Sequence, residues 1–188
     1  MNHLEIEFKT LLSKASFEEL LPIFAHAPRI KQTNYYIDSK DFTLRDHKMA
    51  LRIRTYEDQA ELTLKIPKEI GNMEYNQDLS LEKANALLKQ FSLPEGEIKK
   101  ILKKENIALS SLDILGDLTT LRREIQFPIG LLALDESQYL GTTDYELEME
   151  VLDAKKGEED FIAFLKKHGI SYQKAPSKIA RFAQKLAK

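Results

Sequence analysis

Acidic and basic residues recur at every second position in several short runs of this chain. In "HLEIEFK", residues 3–9, Glu5, Glu7 and Lys9 alternate with Leu4, Ile6 and Phe8. "LRIR" sets Arg52 and Arg54 against Leu51 and Ile53, and "LTLK" puts Lys65 in phase with Thr63. In "TTLRREI", Arg122 shares phase with Thr120 and Glu124; in "YELEMEV", Glu146, Glu148 and Glu150 stand against Tyr145, Leu147, Met149 and Val151. A period of two is that of a β-strand, so each charged set shares one strand face, with carboxylates two residues apart separated by about 6–7 Å. Solvated antiparallel strands alternate in the same way. Here, however, like charges follow one another along a strand and the signs are sorted by strand, whereas neighbouring like charges repel.

If the charged faces turn inward on a closed sheet, the five glutamates near the two chain ends form a cluster of hard oxygens. Enclosed and uncompensated, they could not all stay ionised. Mg²⁺ or Mn²⁺ would relieve them, because these ions take carboxylate and water oxygens. Lys9, Arg52, Arg54, Lys65 and Arg122 would surround a polyanion, with arginine forks matching phosphate oxygens and lysines acting as point charges. A hard cation with a basic clamp is the equipment of phosphoryl-transfer chemistry.

The elements that must position these residues follow from the same periodicity. Strands are expected over about 3–10, 29–37, 49–56, 60–67, 72–79, 117–127, 130–136 and 143–152, with the short polar "EDQ" joining an antiparallel hairpin. Helices are expected over 16–26, 80–90, 95–105, 157–168 and about 177–187. Ser16 with Glu19 reads as a capping box for the first; Ser80 is a weaker cap, because Lys83 stands where an acceptor would complete the box. Strands dominate, so the class is α+β on an antiparallel sheet, with surrounding helices. Residues 1–188 are expected to form one domain, with a helical insertion at about 80–107.

The ordered series of these runs resembles the CYTH superfamily, the triphosphate tunnel metalloenzymes. "EIEFK" is similar to its ExExK signature, and "QTNYYIDSKDFTLRDHKMALRIR", "LTLK", "TTLR", "LALDE", "YELEME" and "PSKIARF" follow in the family's order. The resemblance implies a closed antiparallel eight-stranded β-barrel that hydrolyses a triphosphate with Mg²⁺ or Mn²⁺. It implies metal ligands among Glu5, Glu7, Glu146, Glu148, Glu150 and Asp135, leaving open whether the first or last two of the C-terminal glutamates serve. It implies phosphate contacts from Lys9, Arg52, Arg54, Lys65, Arg122 and Lys178, with Arg123 replacing Arg122 if the strand bulges. Glu5, Glu7, Lys9, Glu146 and Glu148 would carry catalysis by direct displacement at the terminal phosphorus. Glu74 is a lesser candidate as a mid-barrel carboxylate, and Asp38 reads equally as a turn residue.

Composition sets the outer limits. The chain is 43% hydrophobic and 31% charged, ordinary for a folded globular protein, with a net charge of −2 that gives no global attraction to nucleic acid or acidic membranes. Without cysteine there is no disulfide or thiolate chemistry, and the four histidines show no metal-ligand spacing. The glycines form no phosphate-binding loop. No apolar run reaches spanning length and no signal-peptide pattern opens the chain, so a cytoplasmic monomer or homodimer is expected. The expected partner is a small triphosphate, inorganic triphosphate first, with no nucleic acid or membrane. Thiamine triphosphatase, class IV-type adenylate cyclase and a non-catalytic nucleotide or polyphosphate-binding module are the alternatives.

Overall fold

The structure, a computed structural model, describes residues 2–186. Its strands are β1 His3–Leu12, β2 Ile30–Ser39, β3 Ala50–Thr55, β4 Ala60–Pro67, β5 Asn72–Leu79, β6 Leu112–Phe127, β7 Gly130–Tyr139 and β8 Thr142–Val151. They close into an antiparallel barrel in the order β1-β5-β4-β3-β2-β6-β7-β8. The helices are α1 Lys14–Leu20, α2 Thr43–Asp46, α3 Leu81–Lys89, α4 Glu97–Lys104, α5 Ala154–Lys167 and α6 Lys178–Leu186. The α+β class and the closed eight-stranded barrel with surrounding helices expected from the sequence are therefore present.

The chain divides into two compact units, one taking in the residues up to Leu4 with Gln32–Leu118, the other Glu5–Lys31 with Thr119 onward. In the first, Leu51 opposes Leu64 and Ile53 opposes Leu62 across β3 and β4. Ala84 and Leu87 of α3 and Ile98 and Leu102 of α4 pack on that apolar face. Spacings of three and four residues put each pair on one side of its helix. In the second unit, Leu132 and Leu134 of β7 and Leu147, Met149 and Val151 of β8 pack with Phe17 and Leu20 of α1 and Phe161, Phe164 and Leu165 of α5. Each fully buried large side chain contributes roughly 1.5–3 kcal/mol. The charged positions fall on the opposite face of the same strands, because successive side chains alternate.

Several boundaries differ from the sequence reading. Ser16 is not the cap of α1: Ser13 is, its hydroxyl accepting from the Ser16 amide at 3.0 Å, so the Ser16–Glu19 box does not form. The helix accordingly starts earlier, and a 3-10 turn, Leu21–Phe24, with Pro22 near its start, replaces its expected end. Ser80 caps α3, accepting from the Lys83 amide at 3.1 Å. Asp153 accepts from Lys156 N at 2.7 Å and starts α5 three residues before the expected 157. β6 begins at Leu112 rather than 117. Residue 187, the expected end of the last helix, lies outside the described residues.

At the start of β7, Gly130 has φ +150°, and a Cβ there would stand 2.5 Å from the Glu150 carbonyl oxygen, a backbone atom. Gly130→Ala should therefore destabilise the protein by about 1–3 kcal/mol, the usual cost of forcing atoms into a packed site. Urea unfolding of the two proteins measures this, and an unchanged midpoint would refute the steric argument.

Candidate active site

Residues directly opposed in an antiparallel ladder share a face, with Cβ atoms roughly 5 Å apart. In the second unit the register from β6 through β7 and β8 to β1 places Arg122, Asp135, Glu146 and Leu11 in one row. Glu124, Ala133, Glu148 and Lys9 form the next, and Gln126, Leu131, Glu150 and Glu7 the third. Asp135 thus faces Glu146, and Glu7 faces Glu150. The first pair is dry: Asp135 is 0% and Glu146 1% exposed, with Glu148 at 8%. Ionised carboxylates so enclosed require cations and hydrogen bonds.

Four cations supply them. Arg122 forks onto Asp135, Nε to Oδ1 at 2.8 Å and Nη2 to Oδ2 at 2.6 Å, and Nη2 also donates to Glu148 Oε2. From α6, Arg181 Nη1 donates to Glu146 Oε2 at 2.6 Å and to the Pro176 carbonyl at 2.6 Å, while its Nε meets Asp144 at 3.0 Å. Lys178 Nζ lies 2.7 Å from Asp135 Oδ2 and 2.7 Å from Glu148 Oε1, and pairs with Glu146 Oε1. Lys9 Nζ is 2.5 Å from Glu7 and 3.5 Å from Glu148.

The electrostatic consequences differ among the carboxylates. Burial would raise Asp135, but Arg122 and then Lys178 hold it below the usual range. Burial would likewise raise Glu148, but Lys178, Arg122 and Lys9 hold it well below. For Glu146 burial prevails: it is pushed up to about 7, with Lys178 opposing and neighbouring Glu148 adding to the rise. Burial would lower Lys178, yet Asp135, Glu148 and Glu146 raise it.

The first unit gathers the other predicted cations. Arg52 of β3 is opposed by Tyr36 and Thr63, Arg54 by Asn34 and Glu61, and Lys65 by Ala50 and Glu74. Lys65 Nζ lies 2.6 Å from Glu74 Oε1 and Arg52 Nη2 lies 3.9 Å from it. Arg54 Nε donates to Asn34 Oδ1 at 2.8 Å. Arg52 Nε and Asn34 Nδ2 are buried donors without a hydrogen-bond partner. Burial, then Arg54 beside it, lowers the Arg52 guanidinium.

These positions bear on the alternatives left by the sequence. Arg122, not Arg123, lies with the carboxylates; Arg123 turns to the Ala27 carbonyl at 2.8 Å, so no bulge exchanges them. Asp135, Glu146 and Glu148 each offer an oxygen, all within 4.8 Å of one another. Glu7 is held by Lys9, and Glu5 and Glu150 lie outside that group of three. Asp38 is a turn residue, accepting from the amides of Ser39, Leu44 and Arg45. Sequence reasoning assigned no role to Arg181, Asp144 or Asn34. Arg181 was within reach, three residues after Lys178 and so on the same face of a helix.

The three gathered carboxylates are an all-oxygen donor set, the kind hard divalent cations take. The fold thus defines a closed antiparallel barrel whose strands bury ion-paired charges on one face and apolar side chains on the other. The CYTH domain family model matches residues 3–183, and the chain belongs to this family. It is 36% identical over 187 residues to "Putative triphosphatase YjbK" of Bacillus subtilis (strain 168), covering 98% of this chain and 97% of that one. Its structure is similar to a crystal structure of "a putative adenylate cyclase" from Bacillus halodurans, with a TM-score of 0.91 and 38% identity over 96% of this chain and 98% of that one. It is also similar to HpAC1 from Hippeastrum, described as a "putative adenylyl cyclase" with a dominant triphosphatase activity, at a TM-score of 0.83 and 25% identity over 96% of each chain.

Glu74 yields a pH prediction. Burial acts to raise it, but Lys65 and then Arg52 outweigh that and bring it down to about 2. A carboxylate lowered in the folded state contributes stability above its unfolded pKa, and that contribution is lost as pH falls towards the folded value. The stability advantage of the native protein over Glu74→Gln should therefore shrink as pH falls from about 5 towards about 2. Urea midpoints across that range test it; a constant difference would show that the carboxylate is not held low.

Proposed function

We propose that this protein hydrolyses the terminal phosphate of a small triphosphate, inorganic triphosphate first, in the cytoplasm and with Mg²⁺ or Mn²⁺. The observation that carries the reading is the convergence of the Asp135, Glu146 and Glu148 carboxylates, buried beside arginine and lysine. The 36% identity to a protein named as a triphosphatase supports it. Asp135, Glu146 and Glu148, with Glu5, Glu7 and Glu150 on the same strand faces, would hold the cation. When bound, the ion would neutralise phosphate charge and acidify the attacking water. Arg52, Arg54 and Lys65 would bind phosphate oxygens, and the partnerless Arg52 Nε and Asn34 Nδ2 are donors fitted to an anion. Lys9, Arg122 and Lys178 would steady the charge that develops as the terminal phosphoryl group leaves. The acidic set provides the acceptor for the proton that water gives up.

Adenylate cyclisation is a second reading, favoured by the name of the Bacillus halodurans structure. One assay separates the two: phosphate release from inorganic triphosphate, thiamine triphosphate, ATP and pyrophosphate, with cyclic AMP measured in parallel. Inorganic triphosphate should turn over fastest, only with a divalent ion, and not after chelation. Glu148→Gln and Arg52→Ala should each lower kcat by about 100-fold or more, as loss of a charge-stabilising group does. Cyclic AMP from ATP, or turnover persisting after thorough chelation, would overturn the proposal.

A further inference from the structure

Arginine and lysine divide the oxygens of Glu146 and Glu148 between them, and at Asp135 they share one, Oδ2 taking both Arg122 Nη2 and Lys178 Nζ. Asp135 Oδ1, Glu148 Oε2 and Glu146 Oε2 are held by arginine: the first two by Arg122, the third by Arg181. The other oxygen of each turns to the Lys178 ammonium, at 2.7 Å for Asp135 and 2.7 Å for Glu148, with Glu146 also paired to it. Lys178 Nζ therefore stands at the focus of the three carboxylates, where a shared cation would sit. A hard divalent ion such as Mg²⁺ binds carboxylate oxygens at about 2.1 Å, so an ion at that focus would displace the ammonium that stands there.

From this geometry we infer that Lys178 is the resident cation of the acidic site, and that divalent metal and the Lys178 ammonium occupy it in exchange. The inference rests on the reading that these carboxylates take a divalent ion. The arginines make exchange feasible: Arg122 forks onto Asp135 and bonds Glu148, and Arg181 bonds Glu146, so each carboxylate keeps an arginine bond when Nζ leaves. Lysine suits the departing part, being a point charge on a flexible stem. Exchange replaces one positive charge by two at the same oxygens and frees an ammonium beside them.

Mn²⁺ titration calorimetry without substrate tests this on the native protein, Lys178→Met and Lys178→Arg. Relief from competition should make Mn²⁺ bind roughly 10-fold or more tightly to Lys178→Met, in the range usual for coupled binding events. Lys178→Arg, which keeps a cation, should stay near the native affinity. In the native protein, reductive methylation read by mass spectrometry should find the side chain, 10% exposed, protected without metal and severalfold more reactive at saturating Mn²⁺. Equal or weaker Mn²⁺ affinity in Lys178→Met, or methylation of Lys178 unaltered by metal, would overturn the exchange while leaving the hydrolytic reading intact. Absence of Mn²⁺ binding to every form would overturn both.

Discussion

The constraint on which the second unit depends is the burial of Asp135 directly opposite Glu146 across β7 and β8. Like charges opposed in a ladder repel, and in a dry setting water does not screen them. Everything around the pair serves to make it tolerable. Arg122 comes from the strand beside Asp135, opposed to it in register, so its fork arrives in plane with the carboxylate. Lys178 and Arg181 come from α6 and, three residues apart, project from one side of the helix. Lys178 also stands in the first turn of α6, where the helix dipole disfavours a cation by about 0.3–1 kcal/mol. Only the carboxylates opposite offset that cost.

Such a network is poor evidence for a purely structural role. Buried ion pairs replaced by well-packed apolar groups often leave a protein as stable or more so, because desolvation offsets the attraction. The apolar faces under α3 and α4, and under α1 and α5, already supply cores to the two units. The first unit repeats the pattern with the opposite sign: Arg52 and Arg54 sit on one face of β3, and Arg52 Nε lacks a partner. A fold seeking stability alone would not bury a guanidinium donor unsatisfied, since each such group costs about 1–3 kcal/mol or more. The ligand binding proposed above would use these charges.

How much of this could be read from the sequence depended on whether one residue's identity decided the matter. Strand phase did not require tertiary information: "EIEFK", "LRIR" and "YELEME" alternate so regularly that the charged and apolar faces separate on inspection. Arg122 and Arg123 could not be separated, since a bulge reverses phase at the cost of one residue. The expected cap, Ser16, gave way to Ser13 three residues earlier; serine caps well at either place, and their hydroxyls lie 2.9 Å apart. β6 starts at Leu112, five residues before the expected 117, and the strand passes through Gly116 with φ +151°. Arg181 and Asp144 meet across 37 residues of sequence, and no local pattern states which helix tip reaches which strand.

The division between arginine and lysine in this network is itself informative. Both arginines of the acidic site make several directed bonds, Arg122 to the carboxylates of Asp135, Glu148 and Glu124 and Arg181 to two carboxylates and a backbone carbonyl. A rigid fork so engaged cannot shift without breaking several bonds together, which makes it a fixture. Lys9 and Lys178 instead end in a rotatable ammonium that can leave and be replaced with little disturbance to its neighbours. Arginine and lysine share the neutralisation of these carboxylates, but the fixed directed bonds come from the arginines. A site organised in this way would suit the proposed exchange of cations, because its arginine bonds would stay in place while the ammonium moved.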